Sequence, residues 1–389
     1  MANEYIASLS NRIFLKSESD FPGLASMADA QLAPVTSFAL TSNRKQLFRR
    51  DKTGFRSESP VLGPQRELLE FNLESYGTGW SGSTSKPAIA PLLESGMGNA
   101  MAIGATLKVS AASSVNVTLQ ADANLTIGMG LAFGAEIRFV ASIAGPRDFT
   151  LNAPFSVQLA PASDLQVCAN LAPGDAVLPL SILDTWAPAQ AVQRLVSGAV
   201  TDQMRIRVNN DFLEVETRGY ATSLYDNVSG VGGVNFQFPD PPPAAQSAIS
   251  APIAGHLGQV WIGSPASRFC TLTQAEVRIE NNIEPRTDEF GCYETKGFVL
   301  GRRKVSLDLT LFERNDLISQ VLYSSATLNQ PLSVMLQMGT QPGSLFAIYL
   351  PAVLFPVPAF NDSQPRLLWQ FRNALALGAA NDEVFLAMR

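Results

Sequence analysis

The end of the chain has the clearest alternation of apolar and polar positions. Leucine, valine and methionine alternate with serine and glutamine, which is typical of a strand with one buried face. A proline-rich run at 354–358 cannot donate a continuous hydrogen-bond ladder, so we expect an edge or an extended connection there. The strands predicted from this alternation cover residues 331–338, 345–350 and 367–372.

Similar patterns, separated by glycine, proline and asparagine turns, run through the rest of the chain. Further strands are predicted at 105–119, 123–129, 137–143, 155–159, 259–262, 272–279 and 298–312. A long hairpin with a charged tip is predicted over 37–76 and a tight hairpin over 204–217. Short helices are predicted over 87–97, over 186–197 with Asp184 as the N-cap, and from Asp316 onward.

The chain is long for one domain, with 389 residues, and its stiffest stretch is PDPPP at 239–243. We place a domain boundary there. The sequence predicts a mainly β (α+β) fold with two β-sandwich or barrel modules, each with a short helix. The predicted segments are an N-terminal arm (1–36), a first module with inserted strands and a helix (37–238), a Pro-rich linker (239–248) and a second module (249–389).

A weak internal repeat links the two predicted modules. Shifted by 238 positions, Val-Leu-Gly at 61–63 falls on Val-Leu-Gly at 299–301. The apolar face at 69–73 then falls on the apolar face at 307–311. In both places a charged hairpin precedes the matched strand and a short helix follows it, so we predict an internal duplication.

Composition favours a protein that buries part of its surface against other chains. Charged residues make up 16% of the chain, whereas an average soluble domain has about 25%. A large β core is the alternative explanation; association with copies of itself is the one we favour. The net charge is -6, so the chain lacks the basic face that nucleic-acid binding needs.

Candidate chemistry is sparse. His256 is the only histidine, and Cys168, Cys270 and Cys292 are widely spaced, so we predict neither a metal site nor a catalytic site, and no cofactor. Free buried thiols are expected, with one disulfide as the alternative. Ser83-Thr84-Ser85-Lys86 and Lys52-Thr53-Gly54 resemble penicillin-binding motifs but stand in the wrong order. No unbroken apolar stretch approaches the length of a membrane span, so no membrane partner is expected.

The C-terminal run PVPAFNDSQPRLLWQFRNALALGAANDEVFLAM, at 356–388, resembles the end of tail tube proteins (major tail proteins) from long-tailed bacteriophages. The shared features are a proline-rich approach, a polar turn, a strand ending in Trp-x-Phe, and Asp-Glu before a final strand. The resemblance extends upstream over 331–350. Weaker matches lie at 210–226 and in KPAIAPLLESGMG at 86–98.

The resemblance implies a structural virion protein that polymerises as stacked rings into the tail tube through which the genome is delivered. In that family most rings are hexamers of one-module subunits, and some longer members fuse two modules so that three chains imitate six. A trimer is therefore favoured here and a hexamer is possible. The implied partners are other copies of the chain and other tail proteins, with DNA passing through the lumen without specific binding. The implied location is the virion tail, after synthesis in the host cytoplasm.

The resemblance implies that two charged loops, 44–57 and 284–295, contact the next ring. The predicted contact residues are Arg49, Arg50, Asp51, Lys52, Arg56, Arg286, Asp288 and Glu289. A distal or terminator ring of the same fold is the alternative function. A β-rich hydrolase is the alternative from another class, but one histidine and scattered serines do not supply a nucleophile and base.

Overall fold

The computed structural model describes residues 6–19, 26–44, 47–48, 51–52, 54, 56–57, 66–80, 86–186, 192–208, 211–226, 251–291 and 294–389. Within these ranges the chain forms 27 strands and two α-helices, so the predicted mainly β class is confirmed. The predicted linker lies outside the described residues. Two short 3-10 helices, Ser8–Ser10 and Met27–Asp29, lie near the start of the chain.

The first half begins with β1 (Asn11–Ser17), β2 (Gln31–Leu32), β3 (Val35–Arg44), β4 (Glu67–Tyr76), α1 (Ala90–Met97) and β5 (Ala102–Ile103). An inserted barrel follows, made of β6 (Leu107–Ser113), β7 (Asn116–Leu119), β8 (Gly130–Phe133), β9 (Glu136–Ile143), β10 (Asp148–Leu151) and β11 (Asp164–Val167). The first half then continues with β12 (Ala169–Leu171), β13 (Leu180–Trp186), β14 (Val192–Val208), β15 (Glu214–Ala221) and β16 (Ser223–Asp226).

The second half contains β17 (Gly258–Ile262), β18 (Ser267–Phe269), β19 (Leu272–Glu280), β20 (Glu284–Pro285), β21 (Phe298–Val299), β22 (Lys304–Phe312) and α2 (Leu317–Thr327). It ends with β23 (Leu332–Gln341), β24 (Ser344–Leu354), β25 (Ala359–Asn361), β26 (Leu368–Ala376) and β27 (Phe385–Met388). The predicted C-terminal strands are therefore confirmed within a few residues. Two of the predicted helices, 87–97 and the one capped by Asp316, are also confirmed within a few residues.

One antiparallel sheet joins the two halves. Its neighbouring strands are β3, β4, β15, the C-terminal part of β14, β19, β22 and β26. The junction is the pairing of β14 with β19, which runs from Gln203 opposite Glu280 to Val208 opposite Ala275. A single hydrophobic core then draws residues from both halves, including Met97 on α1, Ile206 on β14 and Phe371 on β26.

Each half also contains a second set of paired strands, and the order of pairing is the same in both. In the first half the order is β2, β1, β13, the N-terminal part of β14, and β16. In the second half it is β18, β17, β23, β24 and β27. Residues 11–17 and 31–32 of the predicted arm therefore form strands of the main body.

The inserted barrel is a closed ring of six strands with its own apolar core. It packs on the second half, where Phe139 stacks on Tyr349 with ring centroids 5.2 Å apart. Arg138 is fully buried at this contact. Its guanidinium donates to the Pro154 carbonyl within the insertion at 2.8 Å and to Gln259 Oε1 on β17 at 3.0 Å, so a charge-assisted hydrogen bond joins the barrel to β17.

The predicted helix over 186–197 is wrong in its described part, because Trp186 ends β13 and residues 192–197 belong to β14, while 187–191 lie outside the described residues. Asp184 does not cap a helix. Its carboxylate accepts from Asn11 Nδ2 at 2.6 Å and from Arg194 Nε at 3.1 Å, across neighbouring strands. The valines and leucines that suggested a helical stripe lie on a strand that is buried on both faces, where apolar residues need not alternate.

Two predicted strands of the insertion are also wrong. Residues 123–129 and 155–159 form turns and irregular backbone. Their apolar side chains still have a structural role, because Phe155 and Leu159 are buried in the barrel core and Leu125 packs against it. Apolar composition therefore predicted burial correctly here, while the backbone conformation was set by closure of the barrel.

Candidate functional site: the charged face of the joined sheet

The sheet that joins the two halves has one apolar face and one charged face. Along β15, Val215, Thr217 and Gly219 point to the core, so Glu214, Glu216 and Arg218 point away from it. The same alternation holds in the neighbouring strands. The charged residues on this outer face of β4, β15, β14, β19 and β22 are Glu70, Glu74, Arg205, Arg207, Glu214, Glu216, Arg218, Glu276, Arg278, Glu280, Lys304 and Asp308.

Glu216 is the centre of the first ion-pair cluster on this face. Its side chain is 2% exposed, and its carboxylate lies 2.7 Å from Arg207 Nη2 and 2.5 Å from Arg218 Nη2. Arg207 also reaches Glu276 on β19, with an Nε to Oε2 distance of 3.6 Å. The cluster therefore spans the junction between the halves, and the buried carboxylate is surrounded by cations, which a charge at this depth requires.

A second cluster lies on β19 and β22. Arg278 Nε is 2.5 Å from Glu276 Oε1, and Arg278 Nη2 is 2.8 Å from Asp308 Oδ2. Its hydrogen bond to Glu276, followed by the charge of Asp308, raises the pKa of Arg278. Asp308 also accepts the backbone N–H of Asn373 at 2.6 Å. Most charges near the junction are thus neutralised by neighbours within the same face.

A polar cleft of about 460 Å³ lies on the first-half side of the face. Burial, and then the nearby charge of Glu280, raises the pKa of Asp202. Burial, and then the charges of Asp202 and Glu70, raises the pKa of the Tyr220 phenol, which also lines the cleft. The face carries seven carboxylates and five cations among the residues named above, so its formal charge is about -2 at neutral pH.

The two charged loops predicted as contact sites leave the same end of the joined sheet, because β3 and β19 run in the same direction. Arg66, which directly precedes β4, contacts the second loop: its Nη1 lies 2.5 Å from Asp288 Oδ1. Arg286 donates through Nε to Glu289 Oε1 at 2.6 Å, within the second loop. Of the other predicted residues, Asp51, Lys52 and Arg56 are exposed, and Arg49 and Arg50 lie outside the described residues.

The charged face was not predicted from the sequence. A usable signal exists, because Glu214, Glu216 and Arg218 alternate with buried residues, as do Glu276, Arg278 and Glu280. Charged residues at every second position of adjacent strands indicate one charged face, but that reading requires knowing which strands are neighbours. The pairing of β14 with β19, which are separated by 63 residues of chain, supplies that knowledge.

The cysteines and the single histidine do not form a metal centre in the part of the chain described. Burial raises the pKa of Cys168 to about 12, which makes it an inert core thiol. Cys270 is free but exposed, in contrast to the buried thiol expected, and shares a small cavity of about 130 Å³ with His256. Within the described ranges there is no group of three or more His, Cys, Asp or Glu side chains placed to hold a metal ion.

Neither α1 nor α2, the helices of the described ranges, has the length and apolar character needed to cross a membrane. Comparison with known proteins adds no relative: the chain matches no protein-family model and no curated protein.

Proposed function

We propose that this protein is the structural subunit of a bacteriophage tail tube, which polymerises as stacked rings into a conduit for genome delivery. The observation that carries the proposal is the joined sheet, with one apolar face on the core and one charged, ion-paired face that continues from β4 across the junction to β22. A continuous wall of this kind is what a channel lining requires.

The proposal includes an internal duplication of a tail-tube-like module. The matching strand order supports it, because nine elements of the first half correspond, in their order along the chain and in their pairing, to nine elements of the second half. The first set is β1, β2, β3, β4, α1, β13, β14, β15 and β16, and the second set is β17, β18, β19, β22, α2, β23, β24, β26 and β27. The sequence shift of 238 residues agrees with this correspondence, since it places β4 on β22. Two modules in each chain favour three chains in each ring.

The charges of the outer face suit a surface past which DNA moves. Phosphates bind strongly where cations are unpaired, since they release counterions there. Arg207, Arg218 and Arg278 are engaged by carboxylates of their own sheet, and the excess charge is negative. A lining of this kind repels phosphate weakly and offers it few free cations, which agrees with passage without specific binding.

The loops at one end of the sheet are proposed to contact the next ring. They comprise residues 44–57 and 284–295, which leave the wall in the same direction. Asp51, Lys52, Arg56 and Asp288 are exposed there and carry both signs of charge. Complementary charges would fix the rotation of one ring on the next rather than supply most of the affinity.

Negative-stain electron microscopy of the purified protein, with mass photometry of the same sample, tests this function. We expect tubes of uniform width with a central channel, which dissociate to rings of three chains. Rings of six would keep the function and contradict the duplication. Growth that stops at one ring would favour a distal or terminator component, and a stable monomer at high concentration would overturn the proposal.

A further inference from the structure

The two helices occupy equivalent places in the strand order but differ in burial. In α1 every residue except Pro91 is buried. In α2 one side is buried through Leu322 and Ala326, whereas Leu317, Val321 and, just after the helix, Leu328 are 77%, 53% and 66% exposed. These three recur at helical spacing (i, i+4, i+11) and form one exposed apolar stripe. A helix that is apolar on opposite sides is normally buried on both.

The environment of α1 indicates what an equivalent helix needs. It lies where the two halves meet, and Asn281, just after β19, donates through Nδ2 to the Gly96 carbonyl of α1 at 2.9 Å. Met97 belongs to the core that also contains Val277 and Ile279 of β19. The helix of the first half is thus covered with the help of the second half.

The strand edges show the same difference. β19 has β14 on one side and β22 on the other. Its counterpart β3 is paired only with β4 among the described strands, and Phe38 and Leu40 on its apolar side are half-buried. At the opposite end of the joined sheet, β25 is paired only with β26 among the described strands, and Phe360 is 59% exposed. Within the described ranges the joined sheet of one copy thus ends in two edges without a partner strand, and such edges are templates for strand addition.

We infer that a second copy of this chain occupies these surfaces. β3 of one copy pairs with β25 of the next, and the first half of the copy that supplies β3 covers the α2 stripe of the copy that supplies β25. The junction inside the chain, where β14 pairs with β19, is the template. The inference rests on the proposed function for the identity of the partner, but it is specific about the contact. The register of the contact follows from the junction inside the chain. When residues are matched through the pairings of β4, β15, β22 and β26, Asn43 corresponds to Arg278 and Asn361 corresponds to Arg205. Because Arg278 stands opposite Arg205 within the chain, Asn43 should stand opposite Asn361 between copies.

Val321→Glu tests the stripe, with Gln320→Glu as the matched control. Gln320 is exposed and adjacent, so the control adds the same charge beside the stripe rather than on it. Because the glutamate would be buried in the contact, we expect the protein concentration needed for ring formation to rise at least tenfold for Val321→Glu and to stay near wild type for Gln320→Glu. Unchanged thermal unfolding of the unassembled variant confirms that it is folded. Assembly of Val321→Glu at the wild-type concentration would overturn the inference.

Disulfide trapping tests the strand pairing. Asn43→Cys and Asn361→Cys are combined in a chain whose Cys270 and Cys292 are replaced by serine. Directly opposed antiparallel residues have Cα atoms about 4.5–5.5 Å apart, which a disulfide can bridge. We expect oxidation of assembled protein to give a ladder of covalent multimers. Ser37→Cys with Asn361→Cys is the control, because Ser37 lies on the same strand about 20 Å from position 43.

The outcomes separate this inference from the proposed function. Tubes that form but give no ladder would overturn the strand pairing and leave the tube function standing. A ladder of equal strength with the Ser37 pair would also overturn it, since the contact would then lack the inferred register. Wild-type protein that forms no ring at all would contradict the proposed function itself.

Discussion

The inserted barrel has a hydrophobic core of its own, whereas the largest core cluster of the main body is shared by its two halves. The barrel core comes from residues between Val109 and Val167, and six strands close the ring without an edge. The main core instead mixes residues from Trp80 to Met388, and β14 pairs with strands of both halves. A closed unit can be inserted into a chain at little cost to its surroundings, but units joined through a sheet must fold together.

The attachment of the barrel is correspondingly local. The apolar part of the contact between the barrel and the second half surrounds Phe139 and Tyr349. The polar part consists of the hydrogen bonds of Arg138 and of Gln337, whose Oε1 accepts from the Ile137 N–H at 2.8 Å. Variants in the shared core, in the barrel core and at the attachment should therefore have separable effects.

The largest effect is expected from Phe371→Ala in the shared core. Phe371 is fully buried, with Phe355 and Trp369 packed around it at centroid distances of 5.2 and 6.3 Å. Its loss should lower the free energy of unfolding by about 3–5 kcal/mol, because it removes apolar contact and leaves a cavity. Urea unfolding should still show both halves melting together. Phe290→Ala, at a fully exposed position, is the control. Separate transitions for the two halves would contradict the shared core.

A somewhat smaller effect, confined to the barrel, is expected from Leu151→Ala. Leu151 is 2% exposed in the barrel core, and truncation should cost about 2–5 kcal/mol there. Hydrogen exchange should accelerate between residues 107 and 167 and remain slow in β19 and β22. Val157→Ala, at a position 66% exposed, should leave both regions unchanged. Equal loss of protection in the main body would show that the barrel is not an independent unit.

The smallest effect is expected from Arg138→Met at the attachment. The substitution removes hydrogen bonds to Pro154 and Gln259 and leaves Glu136 without a cation 3.1 Å away, so we expect a loss of about 1–3 kcal/mol. Limited proteolysis should then release an intact barrel more readily. Arg147→Met, which breaks an exposed ion pair with Asp122 on the same barrel, should change little. Equal behaviour of the two variants would remove Arg138 as the anchor.

Prediction from sequence was accurate where an element has one apolar face. The hairpin of β3 and β4, the C-terminal strands and the cap of α2 by Asp316 were all found, since period and turn residues act locally; Asp316 Oδ1 accepts the Ser319 N–H at 2.9 Å. The same reasoning failed for 186–197. Its described residues 192–197 lie on β14, which is buried on both sides over much of its length, so their apolar side chains do not reveal a period.

The sequence by itself determined the mainly β class, the order of most elements and the positions of the two charged loops. Tertiary structure decided that β14 pairs with β19, that the alternate charges of five strands form one ion-paired face, and that residues 107–167 close into a barrel. The physical reason is the distance along the chain over which each kind of interaction acts. Alternation, capping and turn chemistry depend on residues within a few positions, whereas strand partners and the sharing of a core depend on contacts between residues far apart in the chain.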